Sequence, residues 1–423
     1  MRKKILILGT SIGSVDIVKY AQSKGIYTYV ADYLVKEQSA AKLVCDEDVL
    51  INTAEVDTLI AFAKKHLINA IFAGVSEFNL ESARKISNSL GFPFYYTSEQ
   101  WQLFMNKKSF RGLCMKYNVG VPETYFSGNK DDLLNFDGEK ISYPVIVKPI
   151  DNQANIGISV CYDKLLLQYA ISHAMAYSAS HSIIIEQFIE GIEISCTYVV
   201  KNGKCRLVCM GDKYAYENEN HLKALSNAYI YPSSHLDEYL EKEDGNVQRM
   251  IMAAGLNNST VFFQGIYSDH KFYLFEAGLR LEGTASYRIT EAMTGQNFMK
   301  FLVDTLLQEN TTFDIEKADP TFGGKHCVIF SQISKGGIIS EIKGLEDIKK
   351  EPSIISFEQR HQIGTKIEED GTLHQILFRY VIKNDTFSKI IEIIKWLQKT
   401  IKALDQNGNN MIIDSFNPDT LHI

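Results

Sequence analysis

The 423-residue chain contains no stretch approaching ~18 consecutive apolar residues, so it offers no membrane-spanning helix. It has no surplus of positive charge. Its 44 Lys+Arg against 51 Asp+Glu give a formal charge of −7, with 10 His taken as neutral, which argues against nucleic acid as the main partner. A Cys-x-x-Cys pair is also missing. The seven cysteines (Cys45, Cys114, Cys161, Cys196, Cys205, Cys209, Cys327) are odd in number and scattered, with no adjacent His cluster. They suit reduced thiols in a cytoplasmic protein better than a disulfide framework or a zinc site. Internal repeats and low-complexity segments are absent too. Met1-Arg2-Lys3-Lys4 precedes an apolar run too short for a signal peptide and leads into a first strand.

What remains is ordinary: 45% hydrophobic and 22% charged residues, enough for a large core. At about 150 residues per domain the length suggests roughly three domains. Through residue 100, short runs rich in branched or aromatic residues (Ile5–Leu8, Tyr27–Ala31, Val49–Ile51, Ala70–Ala73) alternate with stretches of helical spacing (Ser14–Ser23, Val56–Leu67, Glu77–Leu90). That alternation predicts a parallel sheet covered on both faces. Gly9-Thr10-Ser11-Ile12-Gly13 follows the first strand and Asp32 closes the second, but the full G-x-G-x-x-G is lacking. A structural α/β domain lining a substrate cleft is therefore favoured over nicotinamide binding.

A second region opens near Trp101. A helix is expected over Asn106–Tyr117, with Phe110, Leu113, Cys114 and Tyr117 on one face. Strands follow at Pro144–Lys148, Ile156–Cys161, Ile183–Phe188 and Glu193–Val200, with a helix at Leu165–Tyr177. Segment 211–235, with Lys213, Tyr214, His221 and Lys223, reads as a loop over the site. The third region, from about Pro320, has turn signals at Gly323-Gly324, Gly336-Gly337, Gly364 and Asp370-Gly371, then a long helix over Phe387–Leu404. His326 is a further candidate for substrate contact.

Charged residues at strand ends carry the chemistry. Lys148 shares a strand face with Ile146, and an ammonium beside branched apolar residues calls for an anion, though a lysine reaching solvent past the strand end fits equally. The loop Asp151–Ser159 could cover phosphates with backbone amides. Ile183–Phe188 runs into the charged turn Ile189-Glu190-Gly191-Ile192-Glu193, where backbone groups could meet an adenine edge; solvated glutamates explain it as well. Val261–Tyr267 and Lys271–Glu276 form an antiparallel hairpin around Ser268-Asp269-His270. If Tyr267 pairs with Lys271, Gln264 lies opposite Leu274 and diagonal to Glu276. Glu276 would then share a face with Phe272 and Leu274, a position a cation explains most easily, with Mg²⁺ and nucleotide phosphates the usual partners. Arg280 and Arg288 follow and could neutralise phosphoryl charge, the alternative being a plain Glu276–Arg280 surface ion pair.

In this order the segments resemble the ATP-grasp superfamily, in particular its carboxylate–amine ligases and the related biotin carboxylase and carbamoyl-phosphate synthase modules. Asn106-Lys107 through Val121-Pro122 is similar to the family's Asp-Lys helix, Pro144–Pro149 to its P-x-x-x-K-P strand, and Glu276-Ala277-Gly278-Leu279-Arg280 to its E-x-N-x-R segment. Thr294-Gly295 is similar to its downstream helix. The resemblance implies an α/β and α+β fold: an ATP-grasp fold preceded by an N-terminal Rossmann-like (pre-ATP-grasp) domain. The expected domains are 1–100, 101–315 with a small ATP-binding lobe at about 123–190, and a carboxylase-like C-terminal subdomain at 316–423. The resemblance also implies Lys107 and Lys148 as phosphate-binding lysines, Glu186, Gln187, Phe188 and Ile189 as the adenine hinge, and Glu193 on the ribose. It gives Arg280 and Lys148 catalytic roles and Glu276 and Gln264 the metal, with ATP and Mg²⁺ (or Mn²⁺) as cofactors. Gly278 departs from the family's asparagine ligand, Gln264 from its first acidic ligand, and Ala154-Asn155-Ile156-Gly157 from its Gly/Ser-rich loop. The implied reaction joins a small-molecule carboxylate to an amine through an acylphosphate, releasing ADP and phosphate, with a homodimer the default assembly. The alternatives are a nucleotide-binding protein of weak or lost catalysis and a bicarbonate-using carboxyl-phosphate enzyme.

Overall fold

The computed structural model describes residues 2–10, 13–134, 136, 138–151, 156–216, 225–413 and 416–422. Buried apolar strands near the N-terminus pair in parallel, in the order Glu47–Val49, Tyr27–Ala31, Lys4–Leu8, Ala70–Ala73. Helices Ser14–Ser23 and Val56–His66 connect strands of this sheet and Glu77–Leu90 follows the last one, as the helical spacing predicts. Ala70–Ala73 is buried throughout, as expected of a strand flanked on both faces.

Two further sheets follow. A four-stranded sheet runs Thr124–Asn129, Ser182–Gln187, Val145–Pro149, Ser159–Cys161, backed by helix Lys164–Ala176. Its small core is separate from the rest, built on Val145, Val147, Ile183 and Ile185 against Leu167, Ala170 and Ala174. The largest sheet has eight strands and takes chain from both sides of residue 316. Its order is Lys271–Gly278, Ser259–Ser268, Ile192–Lys201, Lys204–Tyr216, Leu225–Tyr231, His326–Ile333, Ile376–Asn384, Ile354–Gln359. One core cluster runs from the N-terminal sheet through Phe104 and Phe110 to Phe263 and Phe301. Another packs helix Phe387–Thr400 onto the C-terminal strands. Among the described residues, no helix is long and apolar enough to cross a membrane.

Three expectations need correction. Segment 211–235 is not a loop where it is described: two long strands enclose residues 217–224, and His221 and Lys223 lie outside the described residues. The polar run Gly211-Asp212-Lys213-Tyr214 looks loop-like because it lies on strand positions that mix buried and half-buried polar groups. The C-terminal helix stops at Thr400; Ile401 is extended and Lys402–Leu404 forms a strand paired with Glu341–Lys343. The hairpin register also differs. Asp269 and His270 both have positive φ (49° and 61°), which fits a tight two-residue turn pairing Ser268 with Lys271. A bulge then leaves Phe275 unpaired between Gly265↔Leu274 and Gln264↔Glu276. Glu276 therefore stands directly opposite Gln264, and on the face away from Phe272 and Leu274.

Candidate functional site

Three buried charges lie where the small sheet meets the hairpin. Ile146 pairs with Glu186 and Lys148 with Ile184, so Lys148 stands diagonal to Glu186 on one face of the small sheet. Lys148 Nζ lies 2.5 Å from Glu186 Oε2. From the other side, Arg111 Nε donates to Glu186 Oε1 at 2.6 Å. Glu186 has no exposed surface, and Arg111 and Lys148 are 3% and 7% exposed. Burial alone would raise this carboxyl; the Lys148 and Arg111 charges outweigh it and hold it at about 2. Arg111 Nη1 also donates to the Phe275 and Leu274 carbonyls at 3.0 and 3.3 Å. The bulge takes Phe275 out of the ladder and so leaves its carbonyl for this contact.

Lys107, at the start of helix Lys107–Lys116, donates to the Ile150 carbonyl at 3.0 Å. Burial, and then the Lys148 charge, hold its ammonium below the ordinary range, with Glu276 and Glu186 pulling the other way. Glu276 is pushed up by burial and then by Glu77, against Arg280, Lys107 and Lys148. Through these influences Lys107, Lys148 and Arg280 are electrostatic neighbours of Glu276. Arg280 is not paired with Glu276. Its Nε and Nη2 donate to Glu77 Oε1 at 3.3 and 3.1 Å, and its guanidinium lies 4.8 Å from the Phe262 ring centroid. Glu193 pairs with Lys213 at 2.6 Å, and this contact lifts the lysine despite its burial.

The remaining predicted residues are placed as follows. Gln187 and Phe188 donate backbone N–H to the Glu123 and Pro144 carbonyls, and Ile189 is buried just beyond. Residues 152–155 of the expected phosphate loop, and Ser11 and Ile12 of the first glycine turn, lie outside the described residues. Asp32 accepts the Leu34 N–H at 2.8 Å, closing its own turn. His326 packs edge-on against Phe387 and burial lowers its proton affinity. At Gly278, an added β-carbon would overlap the Phe262 ring.

Four groups escaped the sequence reading. Arg111 was signalled only as a cation on the buried face of its helix, four residues from Lys107. Glu77 is an N-terminal helix residue with no local mark of pairing to Arg280. Asp16 binds Arg288 Nε at 2.7 Å and the Tyr287 hydroxyl at 2.8 Å. Glu282, 4% exposed, accepts from Ser195 and, at 2.7 Å, from Thr284, fixing the loop after Arg280 to the strand beside Gln264.

Known proteins resemble the chain in sequence and in fold. A family model described as the D-ala D-ala ligase C-terminus matches residues 111–260, which include Lys148, Glu186–Ile189 and Glu193 but end before Gln264. Dapdiamide A synthase of Enterobacter agglomerans is 20% identical over 322 residues, covering 72% of this chain and 74% of that protein. The crystal structure of an L-amino acid ligase from Bacillus licheniformis superposes with a TM-score of 0.79 at 18% identity, covering 96% and 99% of the two chains. The biotin carboxylase domain of Hydrogenobacter thermophilus 2-oxoglutarate carboxylase, a dimer in complex with MgADP, ADP and bicarbonate, gives 0.79 at 16% identity over 95% and 91%. The chain shares the fold of these ligase and carboxylase structures and, over residues 111–260, is similar to the D-ala D-ala ligase C-terminus. Its fold is an ATP-grasp fold preceded by an α/β domain.

Proposed function

We propose that the chain is an ATP-dependent carbon–nitrogen ligase that activates a carboxylate as an acylphosphate and passes the acyl group to an amine. The observation that carries this reading is the buried Lys148–Glu186–Arg111 set with Lys107, Glu276 and Arg280 as electrostatic neighbours. In this reading Lys107 and Lys148 hold nucleotide phosphates, Glu186–Ile189 meets the adenine, and Glu193 meets the ribose hydroxyls. The working division is 1–100, 101–315 and 316–423.

A carboxylate oxygen attacks the γ-phosphorus, the bond to the β-phosphate oxygen breaks, and ADP leaves. The amine nitrogen then attacks the acyl carbon, the carbon–oxygen bond to phosphate breaks, and the amine gives up a proton. Such chemistry needs alignment and charge neutralisation rather than a protein nucleophile. Arg280, steered by Glu77, supplies positive charge to the transferring group, and Lys148 keeps the phosphates in line.

The residues fit a divalent cation held largely by phosphates. Glu276 is a partly buried carboxylate with no hydrogen bond or ion pair among the described residues, and Gln264 opposite offers an amide oxygen. Mg²⁺ is usually held by one or two carboxylates plus phosphate oxygens, and Mn²⁺ suits the same donors. When bound, it would neutralise charge between the β- and γ-phosphates. The unpaired cysteines support a cytoplasmic setting, and a homodimer is the assembly we propose.

ADP release from the full chain, with pools of carboxylates and amines and Mg²⁺ or Mn²⁺, tests this. Lys148→Ala is expected to lose ATP binding and Glu276→Ala to abolish ADP release; an active Glu276→Ala enzyme overturns the assignment. A second reading, nucleotide binding without turnover, is favoured by Gly278, which offers no side-chain ligand and has the Phe262 ring against it. It predicts tight ATP binding with no ADP from any pool. ADP release that needs bicarbonate instead would point to a carboxyl-phosphate enzyme.

A further inference from the structure

Below the loop that follows Arg280, the C-terminal strands gather arginines that the proposed chemistry does not use. Arg379 is 8% exposed and donates Nη1 to the Gly283 carbonyl at 3.0 Å, three residues beyond Arg280. Its buried Nε has no acceptor among the described residues. Glu358 is its register partner on the neighbouring strand, and Arg360 lies two residues further on the same face. Glu358 forms its ion pair with Arg360, at 3.8 Å from Nε, and Arg360 gives Nη1 to the Leu373 carbonyl at 3.2 Å. Ser356, also on that face, accepts from Arg288 Nη1 at 3.3 Å while Arg288 Nε holds Asp16.

Three guanidiniums here share two carboxylates, Asp16 and Glu358. Burial, and then the Arg379 charge, hold Arg360 below its ordinary range, which marks the two arginines as neighbours. A buried donor without an acceptor is costly, and leaving a cation partly unmatched costs more. A planar guanidinium fork is matched by the two oxygens of a carboxylate or phosphate. Among the described residues, these three guanidiniums thus have two carboxylate partners, beside the loop that follows Arg280.

We infer that Arg379 and Arg360 bind a second acidic group, a carboxylate or phosphate, on the substrate whose other end reacts beside Arg280. This rests on the ligase reading and narrows its substrate class to molecules with an acidic tail remote from the reacting centre.

Isothermal titration of the full chain, pre-bound to ADP and Mg²⁺, tests it with two matched pairs: β-alanine against ethylamine, and O-phosphoethanolamine against ethanolamine. In at least one pair the acidic member is expected to bind about tenfold or more tightly than the neutral one. Preference in the first pair assigns a carboxylate, and in the second a phosphate. Arg360→Gln and Arg379→Gln should each erase the preference, and Arg379→Lys, which keeps charge without the fork, should restore part of it. ADP affinity and melting temperature check that each variant folds. If Arg379→Gln does not fold, the more exposed Arg360→Gln decides alone. Equal binding of acidic and neutral members in both pairs, or a preference that survives Arg360→Gln, overturns the inference. Failure of ADP release in the substrate pools sinks the ligase reading separately, because the titration does not depend on turnover.

Discussion

Glu186 has no contact with solvent and is held between two cations. Replacing it with glutamine removes the carboxylate between Lys148 and Arg111 and leaves two cations in a buried setting. Breaking a buried pair on one side typically costs about 3–5 kcal/mol. Urea denaturation of Glu186→Gln should show a loss of that order, together with weaker ATP binding. The pH dependence has a definite sign. The folded carboxyl sits at about 2, below its ordinary value of 4.5. Its contribution is therefore complete above about 4.5 and is lost as pH falls towards 2. Across that window the stability of Glu186→Gln should fall less steeply than that of the parent. An equal slope in acid-titrated denaturation curves would contradict this account. In the sequence, Lys148 and Glu186 were visible as strand-end charges. Arg111 was not, because a cation inside an amphipathic helix becomes informative only once its tertiary partner is known.

At the scale of the element, the hairpin shows where pattern reading stops. Alternation over Phe272, Leu274 and Glu276 is real in the sequence, yet Phe275 interrupts it in three dimensions. A bulge has no compositional mark here, so strict alternation puts Glu276 on the wrong face. The N-terminal helices and strands were legible because their apolar periodicity answers to a local sheet. Strand Lys204–Tyr216 was not, because its polar positions serve the cleft. Gly278 gives the hairpin a coupled pair with Phe262. Gly278→Asn alone should cost about 1–3 kcal/mol through overlap with the ring. Combining it with Phe262→Ala should recover part of that loss. A double-mutant cycle on melting curves should show a coupling of about 1 kcal/mol or more. Additive effects would mean that the ring can move aside without cost.

At the scale of the whole molecule, the eight-stranded sheet joins chain from before and after residue 316. Strands His326–Ile333, Ile376–Asn384 and Ile354–Gln359 extend the edge that begins at Leu225–Tyr231. A chain ending at residue 325 would expose that edge together with buried Ala228 and Ile230. Exposed apolar edges pair with other chains. Size-exclusion chromatography of the truncated chain should show aggregates rather than a monodisperse species, and a well-behaved truncation would mark 316–423 as independent. The N-terminal domain is tied in as well, through Arg280–Glu77, Arg288–Asp16 and the Tyr20 hydroxyl on buried Asp304. Here the sequence indicated three consecutive regions, but it could not show that two of them share one sheet. Pairing between Ala228 and Phe330, so far apart in the chain, leaves no local pattern.

Arg111 gives this architecture a mechanical consequence. One guanidinium grips the small sheet through Glu186 and the hairpin of the large sheet through the Leu274 and Phe275 carbonyls. Arg111 thus ties the small sheet to the hairpin at a buried point, alongside the Lys107 contact to the Ile150 carbonyl. Because that contact lies out of reach of dissolved ions, added salt should weaken nucleotide capture by the exposed charges while leaving the tie between the two sheets intact.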